Sequence, residues 1–449
     1  MANSKIIVAC PKCGKKWKIG STLIGKTGRC SCGNTFEVSE NTIVQRQGDE
    51  NLSAATGAEP TSKTPELQTA PGPQSEAAPQ SEKAAANSPS SPAGVSRKDE
   101  QLDTDTSIVP NDQDEAIAAL SEARKKIFSE IGKIIIGQVD VIDQVLTAFF
   151  ARGHCVIEGV PGLAKTLMIS SLAETMTLDF TRVQFTPDLM PTDITGTSLL
   201  AEDEHGRRQF TFSKGPVFTN ILLADEINRT PPKTQAALLE SMQERNVSVG
   251  GETYHLPEPF LVLATQNPIE QEGTYPLPEA QLDRFLFLVK IDYPSLDEEE
   301  KILLTTTLES LPKLSRIING PSILDFQRVV RDVEVAPDIA NYAARIPRAT
   351  RPNSDDAPDF IKEWVRWGCG PRAGQALILA GKAHCALHGR PKVTFEDIRQ
   401  FAYPILRHRI ILNFAAVSEG HTTDDIITML LEKIPETRQS AQPVSAGTA

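Results

Sequence analysis

The segment GVPGLAKT (159–166) joins glycines, a lysine and a following hydroxyl in an order suited to holding phosphate. It fits G-x-x-x-x-G-K-[ST], except that Ala164 stands where a second glycine is usual. Read this way, Gly159, Val160, Pro161, Gly162, Leu163 and Ala164 form a loop whose N–H groups, with the dipole of the next helix, cradle phosphates. Lys165 adds a point charge for the β- and γ-phosphates, and Thr166 offers a hydroxyl to Mg²⁺. A chance loop could carry the same letters. A second signal, ILLADEINR (221–229), is an apolar run ending in two carboxylates. At the carboxyl edge of a parallel sheet, Asp225 would enter the Mg²⁺ shell and Glu226 would polarise a water. Alone, the pair could equally be a helix N-cap. In FLVLATQNP (260–268), Asn267 is placed to orient that water, or is simply a structural strand-end amide. Arg284 in LPEAQLDRF and Arg372 in GPRAGQAL are candidates for stabilising charge on a transferring phosphoryl group, although an isolated arginine is more often a surface ion-pair partner.

These residues need a parallel sheet to bring them together. Strand-like apolar runs occur at HCVIEG (154–159), TRVQF (181–185), TNILLA (219–224), PFLVLAT (259–265) and RFLFLVKI (284–291). Helical spacing occurs at 114–131, after Ala164, and at PPKTQAALLESMQER (231–245), which has proline at its start. Alternation of fully apolar strands with helices implies an α/β, three-layer parallel sheet. After about Pro294 the strand signals vanish, and RAGQALILAGKAHCALHG (372–389) and TFEDIRQFAYPIL (394–406) are helical, which suggests a separate helical subdomain. Two hairpins are expected, over 195–212 and over 247–256, the latter turning on Gly250 and Gly251. They could contact a client or simply connect other elements.

Four of the seven cysteines fall in the first 32 residues, as CPKC and CSC. Two close thiolate pairs fit a tetrahedral zinc ribbon of Cys10, Cys13, Cys30 and Cys32, with Gly14 and Gly33 permitting the tight turns. The C-x-C spacing departs from the usual C-x-x-C, and a metal-free or redox-active remnant or another metal are the alternatives. So short a piece has too little core to fold without metal. Cys155, Cys369 and Cys385 are isolated and read as packed thiols. Lys12, Lys15, Lys16, Lys18, Lys26, Arg29 and Trp17 make the head basic, suited to an acidic protein surface or to nucleic acid.

The chain has 449 residues and a net charge of −12, which argues against a bulk polyanion binder. No apolar run approaches the roughly 18 residues of a membrane span, and the N-terminus has no signal-peptide pattern, so a cytoplasmic protein is expected. The organisation expected is a head at 1–40, a Ser/Ala/Pro-rich disordered linker at 41–113, a nucleotide-binding core at 114–294, a helical lid at 295–434 and a flexible tail at 435–449.

The motifs EGVPGLAKT, QFTPDLMPTDITG (184–196), ADEINR, ATQNP, LPEAQLDRFLF and RHRIILNFAAVSEG (407–420), taken together, resemble the MoxR family of AAA+ ATPases over about 114–434. The resemblance implies a P-loop core with a helical lid and a ring-shaped oligomer, typically a hexamer. It implies ATP and Mg²⁺ as ligands, with Lys165 and Thr166 as Walker A, Asp225 and Glu226 as Walker B, Asn267 as sensor 1 and Arg372 as sensor 2. Arg284 matches the arginine finger, with Arg229 as second choice; Ile136, Gly137 and Gln138 match the adenine-side stretch. In the family an insert occupies the place of Pro187 to about Gly215. Chaperone-like remodelling of client proteins is implied, often with von Willebrand factor A-domain partners and sometimes in metal-cofactor insertion. A nucleic-acid-dependent motor is the alternative, a magnesium-chelatase-like subunit is related, and a scaffold with little turnover is disfavoured by Glu226.

Overall fold

The computed structural model describes residues 106–437, except 203–207, 269–272 and 307–311, and five short head strands between Lys5 and Arg46. In the head, Lys5–Ala9 pairs antiparallel with Lys16–Gly20 and with Ile43–Arg46, and Thr27–Arg29 pairs with Thr35–Glu37. The pairing of Lys5–Ala9 with Ile43–Arg46 continues past residue 40, where the linker was expected to begin. Cys10, Cys13, Cys30 and Cys32 lie outside the described residues, as do 47–105 of the expected linker. At the linker's far end, Thr106 O accepts from Asn319 Nδ2 and Ile108 N donates to Ser322 Oγ, so the larger unit already engages the chain before residue 114.

Five strands build the central sheet: β1 (Cys155–Glu158), β2 (Phe180–Gln184), β3 (Ile221–Asp225), β4 (Leu261–Gln266) and β5 (Phe287–Lys290). They are all parallel, in the order β5-β1-β4-β3-β2. Side chains alternate across each strand. Cys155, Ile157, Leu223, Leu263 and Phe287 enter one buried apolar cluster, and Val156, Leu222, Ala224, Val262 and Ala264 enter another. Burial on both faces is why these strands read as continuous apolar runs.

The helical region beyond residue 294 has no core of its own. Its helices Gly320–Asp332, Pro337–Ala349 and Pro371–Leu387 share the first cluster with Gln113–Ile131, Val139–Phe150 and the sheet. The lid is therefore welded onto one face of the sheet. It also contains a strand pair, Val365–Trp367 with Ile411–Leu412, too short to leave any periodicity in the sequence. The single helix expected over 394–406 is two, Phe395–Gln400 and Ala402–Leu406. Pro404 has no N–H to return to Gln400, so an unbroken ladder cannot form.

Both expected hairpins are present, Gly196–Glu202 with Arg208–Lys214 and Asn246–Val249 with Glu252–His255. Gly250 and Gly251 turn the second at φ 64° and 88°, a conformation glycine enters without steric cost. Cys155, Cys369 and Cys385 are buried free thiols, as expected.

His154, just before β1, is buried and accepts a hydrogen bond from Val262 N at its Nδ1 (3.0 Å). Burial pushes its imidazole down from 6.5 to about 4. The charged form is disfavoured in the folded chain, so the unfolded chain takes up the proton first. Stability is complete above about 6.5 and is lost as pH falls towards 4, by on the order of 3 kcal/mol. Buried His408 is also pushed well down and acts in the same direction. Denaturant titrations at several pH values should show this acid-side slope, and His154→Gln, which keeps an acceptor but does not titrate, should flatten it.

Candidate functional site

The loop from Gly159 to Ala164 links β1 to the helix Lys165–Thr175. That helix has no side-chain cap, so its first N–H groups are left for a ligand. Gly162 sits at φ +90° with open space around it, a position where any side chain would be strained. Ala164 takes the same left-handed region at φ 53°, which is why glycine is the usual residue there. Lys165 Nζ donates to Gly159 O and closes the loop. Burial pushes the Lys165 ammonium down, and Asp225, Glu226 and Glu158 oppose that shift. A half-buried lysine at the mouth of this loop is a charge suited to a polyanion.

Opposite the loop, β3 ends in Asp225 and the chain turns sharply at Glu226, which adopts φ 55°. The turn is held by a residue that sequence reasoning did not single out. Thr265, near the end of β4, donates its hydroxyl to Asp225 Oδ1 (2.6 Å) and accepts the backbone N–H of Glu226 (2.8 Å). One hydroxyl thus fixes both acidic residues relative to each other. On the other side β2 supplies Arg182, which donates to Asp225 Oδ2 from Nε (3.0 Å) and Nη2 (2.6 Å). Gln184, register partner of Asp225, donates to Glu226 Oε2 (2.6 Å). Arg229 Nε also lies 3.0 Å from Glu226 Oε2 in the same chain. The only hint of Thr265 and Gln184 in the sequence is that each stands at the polar end of an apolar strand.

These groups line one cavity of about 480 Å³ at the carboxyl edge of the sheet. It gathers Gly159, Pro161 to Thr166, Asp225, Glu226 and Asn267, together with Arg182, Gln184 and Thr265. Asn267 is buried just beyond β4. Val160 is not on its wall. Ile136, Gly137 and Gln138 are not on that wall either; they sit beside the end of β5, where Gln138 Nε2 donates to Asp292 O (3.2 Å) and Gly137 faces Glu298. Ile291 N bonds Glu158 O across β5 and β1, so this stretch adjoins the start of the phosphate loop. The hydroxyl of Thr166 and carboxylate of Asp225 are hard oxygen donors of the kind Mg²⁺ takes, and the cavity accommodates that ion.

Arg284 and Arg372 lie elsewhere. Both line a second cleft of about 310 Å³ with Gly153, His154, Phe285 and Leu286, residues that precede β1 and β5. This is the amino edge of the sheet, opposite the phosphate cavity, so within one chain they do not complete it. Arg372 Nη1 stands 3.5 Å from Asp283 Oδ2, while Arg409 Nε holds Asp283 Oδ1 at 2.8 Å. Arg284 Nη1 donates to a carbonyl, Leu239 O, at 3.4 Å.

Replacing Thr265 by Val should remove both bonds that fix the acidic pair. Loss of a hydrogen bond to a charged group is worth about 1.5–3 kcal/mol, or roughly 10–100-fold in rate. The expected outcome is a fall in kcat with nucleotide affinity kept, and recovery in Thr265→Ser; an unchanged kcat in Thr265→Val would show the bridge to be unnecessary.

Comparison with known proteins agrees with this geometry. Residues 154–287 match the model of the ATPase family associated with various cellular activities (AAA), and residues 360–430 match the AAA lid domain. The chain is 40% identical over 329 residues to Chaperone MoxR1 of Mycobacterium tuberculosis, covering 73% of this chain and 86% of the relative. It is 29% identical to Protein MoxR of Methylorubrum extorquens over 332 residues, covering 70% and 95%. A crystal structure from Cytophaga hutchinsonii superposes with a TM-score of 0.67 at 40% identity, covering 72% of this chain and 97% of that one. With loop, paired carboxylates and strand order all in place, the chain belongs to the MoxR family of AAA+ ATPases.

Proposed function

We propose that the chain is a Mg²⁺-dependent ATP phosphohydrolase that assembles as a ring, typically of six, and remodels or matures client proteins in the cytoplasm. The observation that carries this reading is the convergence of Lys165, Thr166, Asp225, Glu226 and Asn267 on one cavity. Mg²⁺ held by Thr166 and Asp225 would neutralise charge on the β- and γ-phosphates. Lys165 leaves Gly159 O to pair with those phosphates. Glu226 takes the proton of the attacking water, which Asn267 orients. In the resting arrangement Gln184 and Arg229 hold Glu226, so they must release it before it can act. Arg229 stands beside its own chain's Glu226, whereas Arg284 lines the opposite edge, which favours Arg284 as the residue offered to a neighbour. Arg372 shares that cleft and acts on the same neighbouring nucleotide.

Among the described residues, no helix is long and apolar enough to cross a membrane. Exposed Leu199, Leu200 and Phe210 on the Gly196–Lys214 hairpin offer an apolar grip suited to a client. The basic head holds one Zn²⁺ through Cys10, Cys13, Cys30 and Cys32 and docks protein partners. Von Willebrand factor A-domain proteins and metal-cofactor insertion are the partners and setting that fit such a machine.

Glu226→Gln should bind ATP and barely hydrolyse it, whereas Lys165→Ala should bind poorly. Wild-type turnover by Glu226→Gln would remove its assigned role. Arg284→Ala should lose about 10³-fold in hydrolysis. Mixed and allowed to exchange, Arg284→Ala and Lys165→Ala chains should regain activity wherever an intact pocket meets an intact arginine. No recovery despite co-assembly, checked by size, would exclude Arg284 as the residue acting across the interface.

A further inference from the structure

On the lid side of the molecule, four helices bring polar side chains together far from the phosphate cavity. His384 lies in the last turn of Pro371–Leu387, and His388 caps that helix at the i+4 position. Asp143 comes from Val139–Phe150 and Asp397 from Phe395–Gln400. One ligand atom from each of Asp143, His384 and His388 lies within 4.8 Å of the others. His384 and Asp143 are buried, and His388 is exposed.

Each of the three is oriented from behind by a separate partner. Asp397 Oδ1 accepts from His384 Nδ1 at 2.7 Å, which leaves Nε2 as the ring nitrogen turned towards Asp143. His388 Nδ1 faces His384 O at 2.9 Å, which likewise leaves Nε2 as that ring's ligand nitrogen. Arg124 Nε holds Asp143 Oδ1 at 2.9 Å and leaves Oδ2 turned towards His384. Carboxylate or carbonyl support behind each imidazole is the arrangement that metal-binding histidines use.

A simpler account would make His384 an imidazolium clamped between two carboxylates. The carboxylates do not need it. Arg390 binds Asp397, which also accepts Thr394 N and Oγ1, and Arg124 already pairs with Asp143. His384 Nε2 stands 3.8 Å from Asp143 Oδ2, beyond hydrogen-bond reach. Two ligands bound at about 2.0–2.1 Å in a tetrahedral site are separated by roughly 3.4 Å, so His384 and Asp143 would close by a few tenths of an ångström, and His388, whose ligand atom lies within 4.8 Å of both, would close by up to about 1.4 Å.

We propose that Asp143 Oδ2, His384 Nε2 and His388 Nε2 form a binding site for a divalent transition metal of the zinc class. Two imidazoles and one carboxylate are a donor set suited to that class. The two aspartates and two arginines cancel in charge, and the exposed side at His388 leaves the fourth position to water or an anion. The ion would staple the helix that follows Gln138 to the helix that begins at Pro371 and carries Arg372 in its first turn, tying the stretch beside β5 to the arginine cleft.

The test uses the full chain in wild-type form and as His388→Ala, a change at an exposed helix end, with His388→Gln as a second variant and folding checked by circular dichroism. Every form keeps the same cysteine-rich head, so metal held there cancels in the comparison. After equilibration with excess Zn²⁺ and removal of free ion, both variants should retain one Zn²⁺ equivalent fewer than wild type. Added Zn²⁺ should raise the unfolding midpoint further in wild type than in either variant. Equal metal content in wild type and in the folded variants overturns the site, whatever the thermal response.

Discussion

A strand buried on both faces cannot carry a charge along its length. In this molecule β1, β3 and β4 are apolar until their last residues, and charge appears only where they leave the sheet. That constraint places the phosphate loop after β1, the carboxylates after β3 and the amide after β4 on one edge. The parallel order β1-β4-β3-β2 then sets them side by side. Thr265 completes the arrangement, because the hydroxyl that bonds Asp225 also bonds the turn that aims Glu226. The chemistry of the site is a consequence of where a buried sheet is permitted to be polar.

The strands, the loop and both hairpins were legible because each leaves a local signature: a continuous apolar run, a glycine-bearing loop before a helix, or a Gly-Gly turn. Contacts between strands were not. Gln184 meets Glu226 only because β2 lies beside β3 in a particular register, and no local pattern in TRVQF encodes that neighbour. The same limit applies to the lid-side cluster. His384 and His388 share a helix face at a visible spacing, but Asp143 reaches them from another helix far away in the chain. Arg284 and Arg372 were recognisable by motif. Their position at the opposite edge of the sheet emerged only from the fold, since the segment 277–285 gives no indication of which edge its arginine faces.

In the proposed ring, one chain would present two unlike halves of a site. The carboxyl edge has loop, lysine and carboxylates; the amino edge has a cleft lined by Arg152, Arg245, Arg284, Arg331, Arg372 and Arg409, of which Arg372 and Arg409 face Asp283. A cleft lined by six arginines and Asp283, with Glu258 paired to Arg245, is suited to receive an anion. A head-to-tail arrangement, in which one chain's acidic edge carries its nucleotide to the next chain's basic cleft, relieves both surfaces at once.

The apolar cluster shared by sheet and lid sets how such an assembly can transmit work. A lid with its own core could swing on a hinge and absorb the free energy of hydrolysis inside one chain. Here a swing would expose Phe149, Phe150, Phe287, Phe326 and Phe401 to water, each among the most buried side chains in the protein. At about 25 cal/mol per Å² of apolar surface, opening that seam costs several kcal/mol. In the ring proposed above, the compliant element would then be the contact between chains. In that proposal each chain would move as one packed unit, carrying the exposed Leu199, Leu200 and Phe210 of its hairpin with the sheet.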